Sequence, residues 1–226
     1  MLFRSLYANL PYDPVKDLTA IAPTNFIPIC HSVTRKGLDV KNTQEWVAAL
    51  KANPNKYSYG SSGVGSTGHI ASANFLQRTG TEATHVPYRG VSESMNDLLS
   101  GEISMMFADL PAVVPLARDG KLKVLGVLTK ERHPLLPTTP TVAETLPGFY
   151  LMGWQGIFAP GGTPDDIVEK LNAPLVAYLK TPAAEERMRK IGVDVAFGTP
   201  KEFREWVASQ LDWWGKIARD AGIQPQ

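Results

Sequence analysis

The sequence predicts an α/β protein whose sheet is mostly parallel, covered by helices and divided over two lobes. Three observations carry that expectation. Short apolar, strand-like runs alternate with helix-length amphipathic segments between Ile27 and Leu128. Helix starts are marked by recurring Thr-Pro pairs, and two extended stretches bounded by proline or glycine stand where a chain would cross between lobes.

The elements follow in order. A strand covers Ile27 to Val33, and a helix opens at Asn42 with Glu45 three residues on and Trp46, Val47 and Leu50 turned inward. A short strand at Lys56 to Tyr59 precedes a helix from Ser66 to Arg78. Then come a strand over Thr84 to Val86, a helix over Glu93 to Leu99 stopped by Gly101, a strand from Ile103 to Phe107, a helix from Pro111 to Arg118 and a strand from Leu122 to Leu128. Thr163-Pro164, Thr181-Pro182 and Thr199-Pro200 each place a capping hydroxyl before a proline at the first helical position. The last helix adds Glu202 in capping-box spacing and an apolar stripe of Phe203, Trp206, Val207, Leu211 and Trp214. Ile27 to Val33 and Tyr150 to Phe158 are the expected crossings. Residues 1–32 and 151–226 then form the first lobe and residues 33–150 the second, with a cleft between them.

Composition narrows the functional classes. Among 226 residues, 23 basic and 22 acidic side chains leave a formal net charge of +1, without a long basic run, which argues against binding nucleic acid through charge. No apolar stretch approaches the ~20 residues of a membrane span, so direct membrane insertion is not expected. The single cysteine, Cys30, and four scattered histidines without ligand-pair spacing argue against a metal site.

The segment richest in polar groups and glycine is Tyr59-Gly60-Ser61-Ser62-Gly63-Val64-Gly65-Ser66-Thr67-Gly68-His69, between a strand and a helix. A helix N-terminus leaves backbone N–H groups unpaired, and glycines let an anion approach them. Gly63 to Gly68 spells G-x-G-x-x-G, but the preceding strand is short and half polar, and no acid closes the next strand, so a dinucleotide cofactor is not expected. No nucleophile elbow is present, and no catalytic residue is assigned. His69, in the first helical turn, either caps the helix or touches a bound anion. Tyr88 and Arg89 either point at a carboxylate or lie in a solvated turn. Asp109 follows a strand at its carboxyl end, where ligands of parallel sheets collect, or else serves as an N-cap. Trp154 lies among hinge-like residues, and Trp206, Trp213 and Trp214 read as packing.

Taken together, several segments resemble successive motifs of one family: Leu10-Pro11-Tyr12-Asp13-Pro14, Tyr59 to Ser66, His85-Val86-Pro87-Tyr88-Arg89-Gly90, Gly153-Trp154-Gln155-Gly156 and Ala159-Pro160-Gly161-Gly162-Thr163-Pro164. The family is the substrate-binding proteins of tripartite tricarboxylate transporters, the Bug family, and the resemblance runs from about Leu6 to Ile223. It implies a type II periplasmic-binding-protein fold, two lobes joined by hinge strands, that captures a small carboxylate and hands it to membrane permease subunits without catalysis or cofactor. The carboxylate would be held by Ser61, Ser62, Gly63, Gly65 and Ser66, with His69, Tyr88 and Asp109 nearby and Trp154 as a cleft wall. A sensory or regulatory ligand domain of the same fold is the alternative. Family members begin with a signal peptide, a strand and a Pro-Phe-x-x-Gly-Gly loop, whereas this sequence starts further in. The expectation is therefore an N-terminally truncated chain with an incomplete first lobe, periplasmic by resemblance and cytoplasmic if expressed as it stands.

Overall fold

The computed structural model describes residues 11–224. It divides into two compact units. A middle unit comprises Pro28–Gly153 and Asp220–Ile223, and an end unit comprises the described residues up to Ile27, Trp154–Arg219 and Gln224. Both main changes of unit fall within strands, at Ile27/Pro28 in β1 (Leu18–Val33) and at Gly153/Trp154 in β6 (Met152–Pro160).

β1 is longer than its sequence pattern suggests. Its first half pairs with β7 (Asp194–Val195) through Asn25 and Phe26, whereas Ile29 to Val33 pair with strands of the middle unit. Pro28 stands between the residues that pair with β7 and those that pair with β4.

In the middle unit the strands are β2 (Ser58–Ser61), β3 (Thr84–Pro87), β4 (Met105–Asp109) and β5 (Lys123–Val127), in the order β3-β2-β4-β1-β5. β2 runs parallel to β3 and β4, while β1 lies antiparallel to both β4 and β5. The sheet is thus mixed, not mostly parallel. Local strand-helix alternation reveals the parallel crossovers but not the long strand inserted against their direction.

Period-two alternation sends β4 side chains to opposite faces. Met106 and Ala108 meet Leu98 of α3 (Val91–Ser100) and Val113 of α4 (Leu110–Arg118) in one core. On the other face Phe107 packs against Phe75 of α2 (Thr67–Thr79), and the Trp46 indole of α1 (Thr43–Ala52) donates to Met105 Sδ at 3.1 Å.

The end unit holds α5 (Asp165–Leu179), α6 (Pro182–Ile191) and α7 (Pro200–Asp220). Asn172 ties α5 down by donating to the carbonyls of Ile21 and Gly198, at 2.8 and 3.0 Å. Thr181 caps α6, and Thr199 with Glu202 closes a reciprocal box at the start of α7. Thr163 is different. Its hydroxyl donates to Pro160 O at 2.7 Å, and Pro164, at φ −56° and ψ 143°, takes the cap position without a side-chain bond. Among the described residues no helix is long and apolar enough to cross a membrane.

Candidate functional site

Parallel pairing of β3, β2 and β4 places their carboxyl ends along one edge of the middle sheet, each followed by the first turn of a helix. The loop from Ser61 to Ser66 leaves the central one of these strands. Gly63 and Gly65 adopt φ of +114° and +77°, a left-handed region that costs glycine little. Gly68, in the first turn of α2, lies so close to β4 that a Cβ there would stand 2.5 Å from Phe107 O.

Polar bonds hold this loop in one shape. Ser66 caps α2 by accepting the His69 amide at 3.3 Å, and its own amide donates to Gly63 O at 3.2 Å. His69 Nδ1 accepts the Gly65 N–H at 3.0 Å. Ser61 is buried; its hydroxyl donates to Gly63 O at 3.0 Å and lies 2.7 Å from His85 Nε2. Which of the two groups donates across that contact follows the His85 tautomer. The His69 and His85 rings stack at 4.1 Å between centroids and 7° between planes, and Tyr59 stacks on His85 at 4.8 Å. Register explains the meeting, because Tyr59 stands opposite His85 across the parallel β2–β3 pair.

Burial pushes His69 below the usual histidine range, and burial together with the neighbouring His69 ring brings His85 down to about 4. Both rings are neutral at pH 7. Burial also pushes the Tyr59 phenol up to about 12. The amides of Thr67 and Gly68, at the first two positions of α2, lie ahead of the intrahelical ladder and have no carbonyl four residues back to bond. With the exposed Ser62 hydroxyl, they are the donors this loop offers an anion.

The remaining candidates divide. Tyr88 is drawn to the loop by its amide, which donates to Ser61 O at 3.0 Å, but its phenol donates to Asp97 Oδ2 at 2.6 Å. Burial and that bond hold it up at about 12. Asp109 is the N-cap residue of α4 without a side-chain cap bond, and burial raises its carboxyl above the usual range. It occupies the same strand edge as Ser61. Trp154 belongs to the end unit, where it packs edge-on against Phe203 at 6.0 Å and Trp206 at 4.9 Å. His85, Asp97 and Gly68 were not among the sequence candidates. His85 was legible only as part of a motif, since its role depends on strand register. Among the described residues no group of three or more His, Cys, Asp or Glu side chains is placed to hold a metal.

Two α/β units linked through long strands, one carrying a hydrogen-bonded glycine-serine loop at its strand ends, have the build of a solute-binding protein. The chain belongs to the tripartite tricarboxylate transporter family receptors, whose sequence profile matches residues 3–223. These are receptors, not enzymes. It is similar to the UPF0065 protein of the tcbD-tcbE intergenic region of Pseudomonas sp. (strain P51), at 33% identity over 95% of this chain and 64% of that protein. Protein BugT of Bordetella pertussis is 29% identical over 97% of this chain and 68% of its own length, so the chain spans about two thirds of these relatives.

Solved structures agree on the fold. Rpa4515 of R. palustris, solved with adipate, matches with a TM-score of 0.93 at 35% identity, covering 98% of this chain and 74% of that one. The periplasmic binding protein BugD matches at 0.91 and 29%, covering 100% and 76%. MatC of Rhodopseudomonas palustris, with bound malate, matches at 0.85 and 28%, covering 96% and 74%. The fold is that of the periplasmic binding proteins of this family.

Proposed function

We propose that the chain binds a small di- or tricarboxylate at the loop between β2 and α2, and that the whole protein works in the periplasm, delivering this ligand to the membrane permease subunits of a tripartite tricarboxylate transporter. The observation that carries this reading is the pair of helix-start amides at Thr67 and Gly68, preceded by a loop whose shape is fixed by Gly63, Gly65, Ser66 and His69. Adipate and malate, bound by two structural neighbours, are both dicarboxylates. On this reading residues 33–150 are the second lobe, and residues 1–32 with 151–226 are the first.

The site residues take different roles. Ser62, Gly63, Gly65 and Ser66 surround the ligand carboxylate, whereas Ser61, His69 and Tyr88 shape the loop, and Trp154 acts through packing in its own unit. Asp109, an acid at the neighbouring strand end, disfavours a second carboxylate beside it and favours a hydroxyl or ammonium. Each hydrogen bond to a carboxylate contributes about 1.5–3 kcal/mol, opposed by the cost of immobilising the ligand.

Calorimetric titration with adipate and malate tests the proposal, with 1,6-hexanediol as the uncharged control. Saturable binding of a dicarboxylate, absent for the diol and weakened about tenfold or more by Gly68→Ala, is the expected result. Binding of the diol as tightly as of adipate, or full affinity in Gly68→Ala, would overturn it.

A further inference from the structure

We infer that His69 is a positioning residue that must be neutral for the loop to present its anion-binding amides. The inference rests on the carboxylate reading above and goes beyond it by making ligand capture depend on one imidazole lone pair. His69 is the third residue of α2, and its backbone and ring serve opposite ends of the same turn. Its amide donates to Ser66 Oγ, while its Nδ1 accepts the Gly65 N–H at 3.0 Å. An imidazole that accepts at Nδ1 carries its proton on Nε2, so a second proton has only Nδ1 to occupy. There it would set one N–H against another and break the Gly65 bond.

The surroundings offer a positive ring no compensation. Tyr59 of β2 lies 6.3 Å from the His69 ring and His85 of β3 lies 4.1 Å away. The other strand packed on α2 is β4, whose one ionisable side chain is Asp109 at its end. His31 of β1 meets α2 at Phe75, and Arg78 lies in the last turn of α2 itself. Among the described residues no carboxylate hydrogen-bonds either stacked imidazole.

Simple electrostatics and the geometry then predict opposite signs. An imidazolium beside a carboxylate attracts it, so charge alone makes binding tighter in acid. Loss of the Gly65 bond releases the loop, so the geometry makes binding weaker in acid. The apparent dissociation constant rises in inverse proportion to the neutral fraction of His69.

Two measurements decide between them. In the ligand-free protein, long-range nitrogen–proton correlation spectra are expected to place the His69 proton on Nε2, and the Gly65 amide signal to move in step with His69 titration. A proton on Nδ1 at neutral pH, or a Gly65 amide indifferent to that titration, would overturn the role. The second is adipate affinity between pH 7.5 and 4.5 in the wild type, His69→Gln and His69→Phe. Gln supplies an acceptor that does not titrate, and ligand protonation is common to all three proteins. The ratio of wild-type to His69→Gln affinity is expected to fall on acidification, with His69→Phe weaker than both at pH 7.5. A constant or rising ratio would contradict the inference. If adipate binds at no pH, the carboxylate reading fails, and the tautomer and the Gly65 amide still decide the role of His69.

Discussion

Along Ser61–His69 in the middle unit the side chains other than Val64 are small or polar, and the hydrogen bonds that shape the loop are made within it or to His85 and Tyr88 beside it. Around Trp154 in the end unit the side chains are large and aromatic, with Phe203 in ring contact with Trp154, Phe158 and Trp206. Both regions contain a glycine pressed against its neighbours, Gly68 against Phe107 O and Gly156 against the Phe203 ring. The difference is what lies beside the close approach. At Gly68 it is a helix start with unpaired amides, so tight packing aims donors outward. At Gly156 it is an aromatic core, where tight packing contributes cohesion alone. All four histidines of the chain, His31, His69, His85 and His133, fall in the middle unit as well.

The largest expected effect breaks this comparison at its two glycines. A Cβ at Gly156 would lie 2.2 Å from Phe203 Cζ and 2.9 Å from Ala22 O, and one at Gly68 would lie 2.5 Å from Phe107 O. Alanine at either position is expected to cost about 1–3 kcal/mol in chemical denaturation, even though alanine usually improves a helix at a position such as Gly68. Only Gly68→Ala should also weaken adipate binding. Equal losses of affinity in both variants would erase the distinction between the regions.

Acid sharpens the comparison further. His31 is fully buried with neither ring nitrogen hydrogen-bonded, stacked on Phe107 at 4.6 Å, and burial brings it down to about 3. Below about pH 6.5 the unfolded chain takes up a proton that the folded chain refuses until about pH 3. Stability is therefore lost as pH falls through that window, by about 1.4 kcal/mol per pH unit for this group, and is unaffected above it. His31→Leu should flatten the acid limb by that slope. An unchanged limb would show that His31 finds a partner for its proton in the folded state.

Smaller effects separate two helix caps. Ser66 caps α2 and Thr181 caps α6 with the same geometry, each accepting the amide three residues on, at 3.3 and 3.2 Å. Alanine at either is expected to cost about 1 kcal/mol of stability. Ser66→Ala should weaken adipate binding, whereas Thr181→Ala should leave it unchanged within error in the same titration.

Much of this was readable in advance where the signal is local. Asn42, Thr181 and Thr199 start helices because hydroxyl or amide caps act over three residues, which the sequence displays directly. Thr163 misled because the same hydroxyl reaches the carbonyl of Pro160 in a tight turn, an equally short-range alternative. The loop from Ser61 to Ser66 was legible from its glycines. The histidine stack was not, because it depends on β2 pairing with β3 in the register that sets Tyr59 beside His85. β1 was cut short for a related reason. Pro28 looks like an interruption in one dimension, whereas in the fold the strand changes partners between Phe26 and Ile29.

The central claim is that the start of α2 holds the ligand carboxylate, and amide chemical shifts during an adipate titration test it most directly. The account predicts that the Thr67 and Gly68 amide protons move downfield, saturably and together, as their N–H groups bond to the carboxylate. Saturable binding with those two signals unmoved, and the main shifts on residues outside Ser61–His69, would contradict it.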